Sequence, residues 1–270
     1  MDFGDIEKRG LALLGCGKMG GARLEGWLKG GLAPSAVWVL DPAPSDWLMA
    51  QAVHVNEGVP DDPAVIVIAV KPQMMGEALP AIAAKGNGET VMLSIAAGTK
   101  ISAFEDAFGS DTPVVRAMPN TPAAVGRGIT ALIGNTNVSE ARLAQSEMLL
   151  GAVGKTVRLD SEDQMDAVTA VSGSGPAYVF HLIETLAAAG INEGLAPDLA
   201  MELALTTVSG AGALAEAAEE GPSQLRVNVT SPKGTTEAAL AVLMDDADGF
   251  PALLARAVRA AAERSRELGS

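Results

Sequence analysis

A chain of 270 residues, 48% of them hydrophobic, carries apolar material for one large core or two modest ones. Its 33 Asp and Glu outweigh 19 Lys and Arg, and the formal net charge of −14 excludes the concentrated basic face that nucleic-acid binding needs. The single cysteine, Cys16, excludes an internal disulfide framework and a multi-cysteine metal site.

Asp2, Asp5 and Glu7 precede the first basic residues, and the apolar LALL that follows is too short for the core of a secretion signal. No apolar run approaches the ~18 residues of a membrane span. These features predict a soluble, cytoplasmic protein with no membrane partner.

Up to about residue 160, short β-branched runs alternate with helical stretches. LALL (11–14), VWVL (37–40), VIVIAV (65–70), VMLSI (91–95), VVRAM (114–118), ITALI (129–133) and TVRL (156–159) are the predicted strands. Runs this short, several apolar on both faces and separated by helices, predict an α/β domain with a mostly parallel sheet covered on both sides. Ser102 with Glu105 has the spacing of a capping box and predicts a helix start.

From Ser161 the strand pattern stops. Ser161 with Gln164 is a second capping-box spacing, opening an all-α region. Val179, Leu182, Ile183 and Leu186 recur at i, i+3, i+4 and i+7, with Pro176 in the first turn and Gly190 at the predicted end. A last helix is predicted from near Pro251, with Leu254, Val258 and Ala261 on one face. Two domains follow, 1–160 and 161–270.

GCGKMG, Gly15 to Gly20, comes directly after the first strand. In G-x-G-x-x-G the first glycine permits a tight turn, Gly17 lets backbone approach a pyrophosphate, and Gly20 allows helix and strand to pack closely. The helix that follows offers free amides and the positive end of its dipole. The loop Gly15, Cys16, Gly17, Lys18, Met19 and Gly20 is therefore the predicted dinucleotide cradle, with Cys16 a small packed residue. Asp41, about 20 residues further on at the end of strand two, stands where a carboxylate accepts from a ribose 2′-OH and repels a 2′-phosphate. That spacing favours NAD over NADP; the other reading is that Asp41 caps a turn with Pro42.

Conventional catalytic sets are missing. His54 and His181 have no partner at metal-ligand spacing and read as surface or packed helix positions; no metal site is predicted. SGSGP lacks the G-x-S-x-G nucleophile pattern. DDADG (245–249) fails as a calcium loop and reads as a helix-ending turn. What remains are the turns AVKPQ (69–73), SIAAG (94–98), RAMPNTP (116–122), SGSGPAY (172–178) and TSPKGTT (230–236), the first three at carboxyl ends of strands, where open α/β sheets bind ligands.

In this order and over nearly the whole chain, GCGKMG, AVKPQ, SIAAG, RAMPNTP, DAVTAVSGSGPAY and NVTSPKGTT resemble the pyrroline-5-carboxylate reductase family. The resemblance implies an N-terminal Rossmann-type domain, a C-terminal all-α dimerisation domain, and a homodimer or ring of dimers. It implies hydride transfer from C4 of NADPH or NADH to the C=N carbon of Δ1-pyrroline-5-carboxylate, the last step of proline biosynthesis. A cyclic imine protonated before or on binding needs positioning more than a catalytic metal or histidine.

The family's cofactor positions fall on the Gly15 to Gly20 loop, on Asn56 near the adenosine ribose, on Ala69, Val70, Lys71 and Pro72 with Ala96 and Ala97 as the wall, and on Asn120 and Thr121 near the nicotinamide. The SGSGPAY and TSPKGTT turns are implied to enclose the substrate. Ser231, Gly234 and Thr235 would bind its carboxylate, and Thr236 the imine nitrogen. Lys233 stands where the family commonly has glycine. Two other readings stay open: a reductase of another cyclic imine or a β-hydroxyacid, for which the SGSGPAY helix offers no lysine acid, and a non-catalytic dinucleotide sensor.

Overall fold

The computed structural model describes residues 1–86 and 88–269. Its sheet has eight strands: β1 (Leu11–Leu14), β2 (Val37–Leu40), β3 (His54–Val55), β4 (Val65–Ile68), β5 (Val91–Ser94), β6 (Val114–Met118), β7 (Gly128–Gly134) and β8 (Gly154–Arg158). They lie in the order β3-β2-β1-β4-β5-β6-β7-β8, every pair parallel except β6 with β7. The expectation of a mostly parallel sheet therefore holds.

Alternation along each strand feeds two cores. Leu11, Leu13, Val37, Val39, Val65, Val67 and Leu93 pack on one face with Leu24 and Trp27, whose indole Nε1 donates to the Leu149 carbonyl at 2.8 Å. Ala12, Leu14, Ile66, Ile68 and Met92 pack on the other with Ile101, Phe104 and Phe108. Both faces being covered is why these strands read as unbroken apolar runs.

β3 has no counterpart among the predicted strands, because two residues carry no periodicity. It is held to β2 through Trp38 opposite His54, whose rings stack at 4.6 Å. His54 is thus a strand residue, not a helix position, and its Nδ1 lies 2.9 Å from Glu57 Oε2. Ser102 is inside the Ile101–Phe108 helix and does not cap it. The Ile101 amide instead donates to Glu162 Oε1 at 2.9 Å, and that oxygen also accepts from Arg116 Nη1 at 2.6 Å. A carboxylate 61 residues away has taken the cap, which no local pattern announces. The Ser161–Gln164 capping box is formed as predicted.

The chain divides into two compact units, Met1–Gly173 with Ala262–Ser270, and Ser174–Ala261. The second unit is helical, with Gly175–Asn192, Pro197–Ala217, Pro222–Asn228, Thr235–Leu243 and most of Phe250–Leu268. Gly190 does not end its helix, which runs on to Asn192; Gly194, at φ 97°, supplies the left-handed residue, and Gly190 packs beneath Leu195. Asp245 accepts from the Ala247 and Asp248 amides at 2.9 Å each, so DDADG is a turn; these bonds hold its carboxyl below the usual carboxylate range. Among the described residues no helix is long and apolar enough to cross a membrane.

Candidate cofactor and substrate sites

β1 is the switch point of the sheet: the chain leaves it for β2 on one side and later returns to β4 on the other. Connections diverging from such a strand leave a crevice at its carboxyl end. The Gly15 to Gly20 loop opens there. Gly15 has φ 90° and donates to the Leu40 carbonyl at 2.8 Å. A Cβ on Gly20 would lie 2.2 Å from the Gly15 carbonyl oxygen, so that position needs glycine for packing. A Cβ on Gly17 would meet nothing within 4 Å, so its glycine is not required by any protein neighbour.

That contrast fits a loop shaped for a ligand that approaches the backbone at Gly17. Gly17 is also the N-cap of the Lys18–Lys29 helix and offers no side chain to its first-turn amides. Amides so placed, next to exposed Lys18, suit a pyrophosphate.

Four of the predicted cofactor residues, Asp41, Asn56, Ala69 and Val70, lie against the loop or against a residue that braces it. Asp41 Oδ2 accepts from the Cys16 amide at 2.6 Å and Oδ1 from the Ala43 amide at 2.8 Å, so the carboxylate both braces the loop and caps its own turn. Asn56, a non-glycine residue at φ 57°, clasps Asp41 by its backbone. Its Oδ1 accepts from the Asp41 amide at 2.9 Å and its Nδ2 donates to the Asp41 carbonyl at 2.8 Å. The Cys16 thiol is pushed up to about 11, first by burial and then by the Asp41 charge, so it stays a protonated packing group.

Ala69 and Val70 border Gly15 and Gly20, and the Ala69 amide extends the ladder to the Leu14 carbonyl at 2.8 Å. Lys71 is exposed, and Pro72 opens a short 3-10 turn. Ala96 is buried and Ala97 exposed, just past β5. Asn120, past β6, uses its side chain on protein: Oδ1 accepts from the Ile129 amide at 2.9 Å and Nδ2 donates to Ser172 Oγ at 3.3 Å. It thereby joins RAMPNTP to the first half of SGSGPAY, where Gly173 leaves room for Met118. Thr121 is exposed at the start of the next turn.

In the helical unit, TSPKGTT folds as a turn with the Gly234 amide on the Ser231 carbonyl at 3.0 Å. Neither Thr235 nor Thr236 caps the helix that follows. Gly234 is the N-cap, both threonines lie in the first turn, and Glu237 Oε2 reaches back to the Lys233 amide at 2.7 Å. Because Gly234 carries no side chain, no cap competes for the first-turn amides, in a stretch whose sequence carries the Ser231, Thr235 and Thr236 hydroxyls. Lys233 is exposed and left-handed at φ 61°, which explains why glycine suits this place. The buried Arg116 and its partner Glu162 carry no local sequence signal, since 46 residues separate them.

A glycine-loop cradle at the switch point of a mostly parallel sheet, followed in the chain by an all-α unit, places the molecule in the class of dinucleotide-dependent oxidoreductases. The family model described as pyrroline-5-carboxylate reductase dimerisation matches residues 162–268, and that described as NADP oxidoreductase, coenzyme F420-dependent, matches residues 10–98. Pyrroline-5-carboxylate reductase from Pseudomonas aeruginosa is 40% identical over 264 residues, 96% of each chain. Among solved structures, that of the enzyme from Coxiella burnetii aligns with TM-score 0.90 at 32% identity, covering 97% of this chain and 99% of the other. The Plasmodium falciparum enzyme, solved with NADP bound, aligns with TM-score 0.83 at 30% identity over 98% and 99%. The chain belongs to the pyrroline-5-carboxylate reductase family.

Proposed function

We propose that this protein reduces Δ1-pyrroline-5-carboxylate to L-proline with NAD(P)H, as a homo-oligomer, either a homodimer or a ring of dimers. The observation that carries the substrate assignment is the TSPKGTT turn, whose helix starts on Gly234 with no side chain on its first-turn amides, in a stretch that contains Ser231, Thr235 and Thr236. A small carboxylate suits those amides and the positive end of the Thr235–Leu243 helix.

On this reading Ser231, Gly234 and Thr235 hold the substrate carboxylate, and the Thr236 hydroxyl bonds the imine nitrogen. The Gly15 to Gly20 loop holds the pyrophosphate, Asp41 and Asn56 serve the adenosine ribose, and Ala69 to Pro72 with Ala96 and Ala97 form the wall. Asn120 and Thr121 border the nicotinamide, with Asn120 acting chiefly through the Ile129 and Ser172 bonds that fix its strand end. The reduced cofactor supplies a hydride to the C=N carbon. The nitrogen takes a proton, so the cyclic imine becomes a secondary amine and no metal or nucleophile is needed.

Purified protein should oxidise the reduced cofactor only when the pyrroline is added; no turnover with either NADH or NADPH would sink the assignment. Thr236→Ala should lower kcat/KM about 10²-fold with cofactor affinity unchanged. Unchanged turnover would remove Thr236 from the site.

A further inference from the structure

We infer that the Asp41–Asn56 pair makes this chain select the cofactor form that lacks a 2′-phosphate, NADH over NADPH, although the Plasmodium relative was solved with NADP. The inference rests on the dinucleotide reading of the Gly15 to Gly20 loop.

The position of the carboxylate comes first. Asp41 closes β2, the strand beside β1, and its Oδ2 is fastened to the loop itself through the Cys16 amide at 2.6 Å. With Oδ1 on the Ala43 amide, the group cannot swing away from the loop without losing two hydrogen bonds. Each oxygen has a lone pair left, so together they can take the two hydroxyls of an unmodified ribose. Neither can donate to a phosphate.

The surroundings act in the same direction. From residue 41 to residue 70 the chain contains no Lys or Arg; Asp41, Asp46 and Glu57 follow the carboxyl ends of β2 and β3, whereas Asp61 and Asp62 precede β4 at its amino end and pair with Lys85 and Arg9. His54, the one other titratable side chain of that stretch, faces Glu57. A 2′-phosphate, a dianion near neutral pH, needs an Arg or Lys fork to replace its water, and the β2 edge supplies carboxylates instead. Lys18 opens the helix on the pyrophosphate side, and Lys71 follows β4, on the far side of β1 from β2.

Asn56 is the positioning residue. Its amide repeats, from a side chain, the two hydrogen bonds that a neighbouring strand would give the Asp41 backbone. It adopts a left-handed conformation that asparagine accepts more readily than most residues. Losing that clasp frees the end of β2 and with it the carboxylate.

The test is equilibrium titration of the full-length protein with NADH and with NADPH, read by nucleotide fluorescence with no substrate present. The expected result is a Kd for NADPH at least ~tenfold above that for NADH, the size that a like-charge contact produces. Asp41→Asn should bring the two values within about threefold, chiefly by tightening NADPH. Asn56→Gly keeps the backbone conformation and removes the clasp; it should weaken NADH and narrow the ratio while Tm stays near that of the wild type.

Equal or tighter binding of NADPH by the wild type overturns the inference, and that result needs no variant to fold. An unchanged ratio in Asp41→Asn removes Asp41 as its cause. Preference for NADH without oxidation in the presence of the pyrroline leaves the inference standing and removes the proposed substrate. Failure to bind either dinucleotide removes both.

Discussion

In the sheet unit Leu11, Leu13, Ile66, Ile68, Val91 and Leu93 are buried to 1% exposure or less, and each is enclosed by its own chain. In the helical unit the buried cluster consists of Ala187, Ala200 and Ala204 alone. Larger side chains lie outside: Phe180 is 59% exposed, Leu186 43%, Leu203 48% and Val242 71%. The first unit contains the residues that close its core. The second has the periodic apolar faces of packed helices without a matching surface within the unit. A single chain therefore specifies one unit by its interior and the other by what it leaves for a further copy, in keeping with the dimerisation model that matches residues 162–268.

The strongest way to break that comparison is Leu203→Asp. Within one chain the substitution changes an exposed position and should leave the sheet unit folded. In an assembly that buries this face it places a carboxylate in an apolar interface, at roughly several kcal/mol per copy. The expected outcome is a monomer in light scattering at working concentration, with dinucleotide fluorescence titration unchanged. An intact oligomer would show that a different face is used.

Legibility in the sequence follows the same division. β1, β2, β4, β5 and β6 were readable because a strand covered on both faces is an apolar run, and the glycine loop because each of its three glycines answers a separate steric demand. β3 was not, since two residues gain their strand character only by pairing with β2. The helical faces were readable as faces, but Val179, Leu182 and Leu186 remain exposed, because periodicity says which residues align and not what covers them. At the site, Pro232 and Gly234 announced a turn; that Lys233 would be its left-handed residue, and that Glu237 would satisfy its amide, depends on how the turn closes on the next helix. Likewise Asp41 could be placed near the loop by spacing, yet its bond to Cys16 and the clasp from Asn56 join residues 25 and 15 positions apart.

The sheet unit has one inconsistency, and removing it should sharpen the contrast. Arg23 is fully buried beneath the Lys18–Lys29 helix, where burial pulls its guanidinium down to about 10. Its bonds are long, 3.3 Å to the Met19 carbonyl and 3.5 Å to Thr130 Oγ1, and Nε has no partner. A cation held this way costs more in lost hydration than it recovers. Arg23→Met, of similar length and apolar, should stabilise the protein by about 1–3 kcal/mol, read as a higher urea midpoint at unchanged slope. A lower midpoint would mean that the guanidinium has an anionic partner which methionine cannot replace.

The smallest expected effect lies in the helical unit, at Lys233. A side chain at φ 61° carries a steric cost of about 1–2 kcal/mol, which glycine avoids, while glycine adds up to about 1 kcal/mol of unfolded-chain entropy. The balance favours Lys233→Gly by roughly 0.5–1 kcal/mol, a rise of about 1–3 °C in Tm. The bond from residue 233 to Glu237 survives, because the donor is backbone. Lys233→Met keeps the strain and removes only the charge, so its Tm should match the wild type. Comparing the two variants separates backbone from charge in the kinetics as well. The ammonium is on an exposed residue and screened by solvent, so KM for the pyrroline should stay within about twofold in both. A rise of tenfold shared by both variants would instead place the Lys233 charge on the substrate carboxylate, and the left-handed lysine would then be strain retained for binding.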